Sequence, residues 1–218
     1  MNKKLKIEVI YGDLITFCCD ALVNSANSSL LAGSGLCGAM HKVAGKELES
    51  ECVALGKCEV GKCKITKAYN LSQNGVGWII HAVSPRWLGG INHEEELLKL
   101  TYKSCLDMVI EYQNIYRKQM RPILDKYFSK EQLEVEILEL DRYINSHPIK
   151  HIAFPAIGVG IYHFPLELSA KLVKEVFERE TVRCGDLEKI SIVCADENVY
   201  KIYHSIFASD RDKRSGAI

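Results

Sequence analysis

The 218-residue sequence has no excess of charge of either sign, with 28 Lys and Arg against 28 Asp and Glu. Nothing in that balance implies a broad basic face, so nucleic acid is not an expected partner. No apolar run reaches the roughly 18 residues of a membrane span, so no membrane partner is expected. The opening M-N-K-K-L-K-I-E-V-I-Y-G-D lacks the apolar core of a signal peptide and reads as a first strand. Close C-x2-C pairs are also missing. Cys52, Cys58 and Cys63 are separated by five and four residues, which does not suit a structural zinc site, and no metal is expected. The nine cysteines are odd in number and sit mostly in apolar segments. Reduced thiols and a cytoplasmic location are the expectation.

What is present is alternation. Strand-like apolar segments cover 5–11, 21–23, 62–68, 77–83, 149–155 and 190–194. Helix-like periodicity covers 38–52, 94–112, 165–178 and 199–207. Strands that alternate with helices predict an α/β protein with a sheet between helical layers. Residues 113–147 exceed a minimal unit. They are charged, periodic and interrupted by Pro122, and Ser129 with Gln132 forms a capping-box pattern that opens a helix at Lys130. We expect a helical insertion there. It is either a solvated hairpin or a docking arm or lid.

Two stretches carry chemistry. In D-A-L-V-N-S-A-N-S-S-L-L-A-G-S-G-L-C-G, residues 20–38, an apolar strand runs into Asn24 and Asn27 and then into Gly33-Ser34-Gly35. Glycines free the backbone, and a helix starting beyond them points unpaired N–H groups at an anion. Amides both donate and accept, which suits sugar hydroxyls, although both asparagines could equally tie the loop to its own backbone. In H-I-A-F-P-A-I-G-V-G-I-Y-H-F-P, residues 151–165, a second strand again ends in a glycine loop, with Pro165 placed to start a helix. Two such loops at neighbouring strand ends could clamp a diphosphate. Neither is a P-loop, because no Gly-Lys-Ser/Thr follows. Gly33, Gly35 and Gly38 fit G-x-G-x-x-G, but the strand ends too early and Glu51 falls in a helix-like stretch, so a dinucleotide fold is not indicated.

Together these motifs resemble the macrodomain family, most closely its MacroD-like branch. The resemblance rests on G-D-L-I-T (12–16), D-A-L-V-N-S-A-N-S-S-L-L (20–31), G-S-G-L-C-G-A-M-H-K-V-A-G (33–45), G-K-C-K-I-T-K-A-Y-N-L (61–71), I-I-H-A-V-S-P-R-W (79–87) and I-A-F-P-A-I-G-V-G-I-Y-H-F-P-L-E (152–167). It implies a three-layer α/β/α fold with a mixed central sheet, forming one domain over 1–218 with an insertion near 113–147. It implies binding of ADP-ribose without a cofactor. The activity implied is hydrolysis of mono-ADP-ribose from modified protein, or deacetylation of O-acetyl-ADP-ribose. A non-catalytic ADP-ribose reader is the alternative.

Residue by residue, the resemblance gives Asp13 and the Leu14 backbone to adenine, and Asn27 to the distal ribose, with Asn24 nearby. It gives Gly33, Ser34, Gly35 and Leu36 to the diphosphate and distal ribose, and Gly158, Val159, Gly160, Ile161 and Tyr162 to the phosphates. Asp13 also suits a helix N-cap. Asn27 and Cys37 are the candidate catalytic positions. Cys37 stands where MacroD-like hydrolases usually carry an aspartate. It is read as a small packing residue in preference to a nucleophile. No lysine follows the strand near 78–83, where Ser84-Pro85-Arg86 stands instead. The region Cys194-Ala195-Asp196 offers no aromatic to stack on adenine. His41 is expected to be structural, and His163 to shape the distal-ribose end.

Overall fold

The computed structural model describes residues 5–208. Six strands form one sheet: β1 (Lys6–Tyr11), β2 (Ala21–Ala26), β3 (Cys63–Lys67), β4 (Trp78–Val83), β5 (His151–Phe154) and β6 (Lys189–Cys194). Their spatial order is β1-β6-β5-β2-β4-β3, and all neighbours are parallel except β3 against β4. The sheet is therefore mixed, as expected. The helices are α1 (Gly35–Ala44), α2 (Lys46–Leu55), α3 (Glu94–Tyr127), α4 (Lys130–Ser146), α5 (Leu166–Glu180) and α6 (Glu197–Ala208).

Strand alternation assigns the two faces. Ala21, Val23, Trp78 and Ile80 pack with residues of α3, α5 and α6. Leu22, Ala26, Ile79 and Val83 pack with Met40, Ala44 and Leu48 of α1 and α2. Parallel strands present their C-terminal ends at one edge, where open α/β sheets bind ligands. The ends of β1, β2 and β5 all meet there, so the sheet carries both glycine loops to the same side.

Two boundaries differ from the sequence reading. The helix expected over 38–52 starts earlier, at Gly35, and is two helices. Gly45 breaks it with φ of +97°, a region that glycine enters without a Cβ penalty. Strand β2 runs to Ala26 rather than Val23. The helix expected over 94–112 meets a kink there, at the non-helical Glu111, and a second helical stretch continues to Tyr127 with Pro122 inside it.

The insertion is thus the second half of α3 folded back through α4. Ser129 and Gln132 make the capping box that starts α4. The hairpin is fastened to the body through Trp78. Its ring meets Tyr112, Tyr116 and Tyr143 at centroid distances of 5.5, 4.9 and 5.0 Å, and its Nε1 donates to the His147 carbonyl at 2.8 Å. Edge-to-face aromatic pairs add about 0.5–1.5 kcal/mol each beyond the area they bury. Arg117 on α3 pairs with Asp141 on α4 at 2.7 Å.

Candidate functional site

A cleft opens between the two glycine loops. Its walls include Ser25, Asn27, Gly33, Ser34, Gly35, Leu36 and Cys37 from the β2 side. Pro155, Ala156, Gly158, Gly160, Ile161 and Tyr162 face them from the β5 side. The enclosed cavity is about 220 Å³. Among the described residues no lysine, arginine or acid lines it, so an anion held there relies on backbone N–H groups and neutral side-chain donors. Helix α1 begins in its wall, and its N-cap, Ser34, makes no side-chain capping bond. The first-turn N–H groups are left for another acceptor.

The first loop is held by side chains. Asn27 Nδ2 donates to the Leu31 carbonyl at 2.8 Å, while its Oδ1 accepts from the Ser29 N–H at 3.0 Å and the Ser29 hydroxyl at 2.6 Å. Asn27 therefore does both things the sequence left open: it lines the cleft and it ties the loop. One Nδ2 proton remains for a ligand. Cys37 Sγ donates to the Leu31 carbonyl at 3.6 Å and is buried against the loop. A Cβ on Gly38 would lie 2.1 Å from the Gly33 carbonyl oxygen, so that close approach requires glycine.

The second loop is held from below. The buried Tyr102 hydroxyl accepts from the Ile157 N–H at 2.9 Å and donates to the Pro155 carbonyl at 3.3 Å. Phe164 and His163 donate back to Gly158 and Gly160 at 3.0 and 2.9 Å. Gly158 adopts φ of +81° and His163 φ of +54°. Gly160 has open space around it. Val159 belongs to the loop but not to the cleft wall.

Asn24 requires a correction. It was expected beside the ligand at the end of a strand closing at Val23. Because β2 continues, alternation turns Asn24 with Leu22 into the α1–α2 face, where it is 0% exposed. Its Nδ2 lies 3.1 Å from His81 Nδ1 and donates toward Cys37 Sγ at 3.6 Å. Asn24 supports the cleft floor from behind. Asp13 and Leu14 lie off the cleft, past the end of β1 on the same sheet edge. Asp13 is exposed and caps a short 3-10 turn, its Oδ1 accepting from the Ile15 N–H at 2.9 Å. Ser25, Pro155 and Ala156 were not singled out from the sequence, because they carry no motif; only the strand exits place them.

His41, Cys52 and His81 bring possible ligand atoms within 4.8 Å of one another. Yet both His81 nitrogens already face protein groups: Nδ1 faces Asn24, and Nε2 faces the Thr66 hydroxyl at 3.0 Å and Cys52 at 3.7 Å. We read this cluster as a polar core. Burial, with His41 adding to it, pushes His81 down to about 3. Burial also lowers His41, and it raises the Cys52 thiol to about 12, with Glu51 contributing. All three are neutral near pH 7.

A larger, more open groove of about 980 Å³ lies between α2 and the insertion. The Glu51 carboxyl there is raised by burial, against the opposing pull of Tyr69 and Tyr116. Both its oxygens are committed, to the Tyr69 and Tyr116 hydroxyls at 2.7 and 2.8 Å. Glu51 is therefore not free for a ligand in that groove. No residue of 113–147 lines the glycine-loop cleft.

With this geometry in place, comparison with known proteins is direct. The Macro domain family model matches residues 23–173. An O-acetyl-ADP-ribose deacetylase 1 of Pantoea vagans is 34% identical, over 91% of this chain and 96% of that protein. An O-acetyl-ADP-ribose deacetylase of Salmonella gallinarum is 31% identical, over 95% and 97%. The chain belongs to the Macro domain family. Its fold matches the Oceanobacillus iheyensis macrodomain solved with ADP, with TM-score 0.70 and 24% identity over 94% of this chain and 91% of that one. It also matches the Trypanosoma brucei macrodomain in complex with ADP-ribose, with TM-score 0.66 and 24% identity over 92% and 68%. Among the described residues no helix is long and apolar enough to cross a membrane.

Proposed function

We propose that this chain is a single macrodomain over 1–218 that binds ADP-ribose in the two-loop cleft. It hydrolyses mono-ADP-ribose from modified protein or deacetylates O-acetyl-ADP-ribose. The observation that carries this reading is the convergence of two glycine loops and Asn27 on one cavity that no charged side chain lines among the described residues. A diphosphate fits such a cavity because the α1 N-terminus and loop N–H groups neutralise it. Asp13 stands on the same sheet edge, two strands from β5, about 10 Å at ordinary strand spacing. The adenine amino group donates to its exposed carboxylate, while the diphosphate and distal ribose occupy the cleft. The named activity of the Pantoea vagans and Salmonella gallinarum relatives supports the same chemistry.

In the reaction, Asn27 orients the distal ribose. Water attacks C1″, the bond from C1″ to the carrier oxygen breaks, and the carrier leaves as its carboxylate. A substrate phosphate oxygen takes the water proton. For the acetyl ester, water attacks the carbonyl carbon instead, the bond from that carbon to the ribose oxygen breaks, the ribose oxygen leaves as its hydroxyl, and the acyl group is released as acetate. The test is a time course of ADP-ribose release from proteins modified on acidic side chains and, separately, on arginine. Release by the wild type, lost in Asn27→Ala, is expected. Because Asn27 also ties the first loop, thermal unfolding of the variant must accompany the assay. Wild-type turnover in a folded Asn27→Ala protein would refute the placement.

A second reading has its own observation. Cys37 occupies a catalytic position, yet its thiol is spent on the Leu31 carbonyl. That favours a reader that binds the mark and leaves it intact. Saturated binding with no release above the protein-free control would decide for it.

A further inference from the structure

Ser84 follows β4 and is 2% exposed, yet its hydroxyl has no hydrogen-bond partner among the described residues. A buried hydroxyl without a partner is costly, and native proteins keep few of them. Its position is informative. A Cβ built on Gly158 would lie 3.6 Å from Ser84 Oγ, so the hydroxyl stands in direct contact with the inner side of the second loop. Phe164 Cβ and Leu98 Cδ1 lie 3.6 and 3.8 Å from the same point, and both are apolar. Among these neighbours only the Gly158 backbone can bond the hydroxyl.

That backbone is held loosely. Tyr102 fixes the loop at Pro155 and Ile157, before Gly158. The Gly158 carbonyl accepts from the Phe164 N–H at 3.0 Å, which leaves its second lone pair open. The N–H of the same peptide, on Val159, donates to the Ala156 carbonyl at 3.4 Å, longer than an ordinary N–H···O bond. In a planar trans peptide the C=O and N–H point in opposite directions. A tilt that turns the Val159 N–H toward the cleft therefore swings the Gly158 carbonyl inward.

Resting on the ADP-ribose reading above, the geometry points to Ser84 as a positioning residue of the second loop, whose hydroxyl gains its bond only when the loop grips a phosphate. In the gripping state Val159 donates to a phosphate oxygen, and Ser84 donates to the Gly158 carbonyl behind it. Donation to that carbonyl polarises the peptide and strengthens its N–H. The unpaired hydroxyl raises the energy of the described conformation, and binding relieves it. Ser84 thus adds to affinity without touching the ligand, by about tenfold for one buried hydroxyl that gains its bond.

The test is the sign of two effects in Ser84→Ala. Urea unfolding without ligand should show a higher midpoint than the wild type, because the unpaired hydroxyl is gone. Calorimetry should show ADP-ribose bound about tenfold more weakly. Ser84→Cys, which keeps a weak donor of similar shape, should fall between the two in affinity. Amide exchange at Val159 should slow on ADP-ribose binding in the wild type, and slow less in Ser84→Ala. A lower midpoint in Ser84→Ala would mean that the hydroxyl is already bonded, and unchanged affinity would mean that it does not serve the ligand. Either result would overturn the role of Ser84 alone. No binding of free ADP-ribose by a folded wild type would overturn the nucleotide reading, and the role of Ser84 with it.

Discussion

The two glycine loops face the same cavity but are built by opposite means. The first is tied by its own side chains: Asn27 binds Leu31 and Ser29, and Cys37 leans on Leu31. These side-chain partners lie within ten residues, and a longer tie runs from the Cys58 N–H to the Ser28 carbonyl at 2.9 Å. The second is propped from elsewhere, by a hydroxyl on α3 that sits over fifty residues away in sequence. A loop held by local bonds survives small shifts of the helices. The second loop has local bonds as well, from Phe164 to Gly158 and from His163 to Gly160, but the distant hydroxyl couples it to the helix that carries it.

The largest expected effect breaks the first loop. Gly38→Ala places a Cβ 2.1 Å from the Gly33 carbonyl oxygen, so the backbone itself must move. Overpacking of this kind costs about 1–3 kcal/mol. ADP-ribose affinity should fall with it, measured by calorimetry beside urea unfolding. Unchanged stability and affinity would show that the first loop is softer than its bonds suggest.

Acid should next loosen the floor under that loop. His81 is held near 3 by burial, so its folded value lies below the unfolded 6.5. The unfolded chain then binds the extra proton between those values, and stability falls as pH drops through that window. From pH 7 to pH 5 the loss from His81 alone is about 2 kcal/mol. Burial also lowers His41, which adds in the same direction. Urea midpoints at the two pH values measure the total. The His81→Gln protein should lose less stability than the wild type over the same interval.

Tyr102→Phe acts on the second loop only. It removes the hydroxyl shared by Pro155 and Ile157 and leaves a buried N–H unpaired, at a cost of about 1–3 kcal/mol. Amide exchange should quicken around 156–162 and not around 27–37. Equal quickening in both loops would mean that the two are one mechanical unit.

The smallest effect is expected for Gly160→Ala. Its Cβ meets nothing within 4 Å in the protein. Stability should stay within about 0.5 kcal/mol of wild type. A larger loss in thermal unfolding would mean that the loop samples a second conformation requiring glycine there.

Much of this architecture was legible in the chain. The six strands fall where apolar runs were read, and Ser129 with Gln132 starts α4 as the capping box predicts. Asn27, Gly33, Gly158, Gly160, Ile161 and Tyr162 were named through the family resemblance, and all six lie on the wall of one cleft. The misreadings concern context. Gly45 splits a periodic apolar face that looked continuous, and Pro122 does not end a helix that it seemed to interrupt.

What the sequence determined by itself is local: strand and helix identity, the capped insertion helix, and two glycine loops at strand ends. These follow from side-chain period, caps and glycine, all of which act within a few residues. Only the tertiary structure decided that Asn24 faces inward and that Tyr102 holds the second loop. Those facts depend on where β2 stops and which strands become neighbours. Burial across the whole sheet settles such questions, and no short stretch of sequence encodes them.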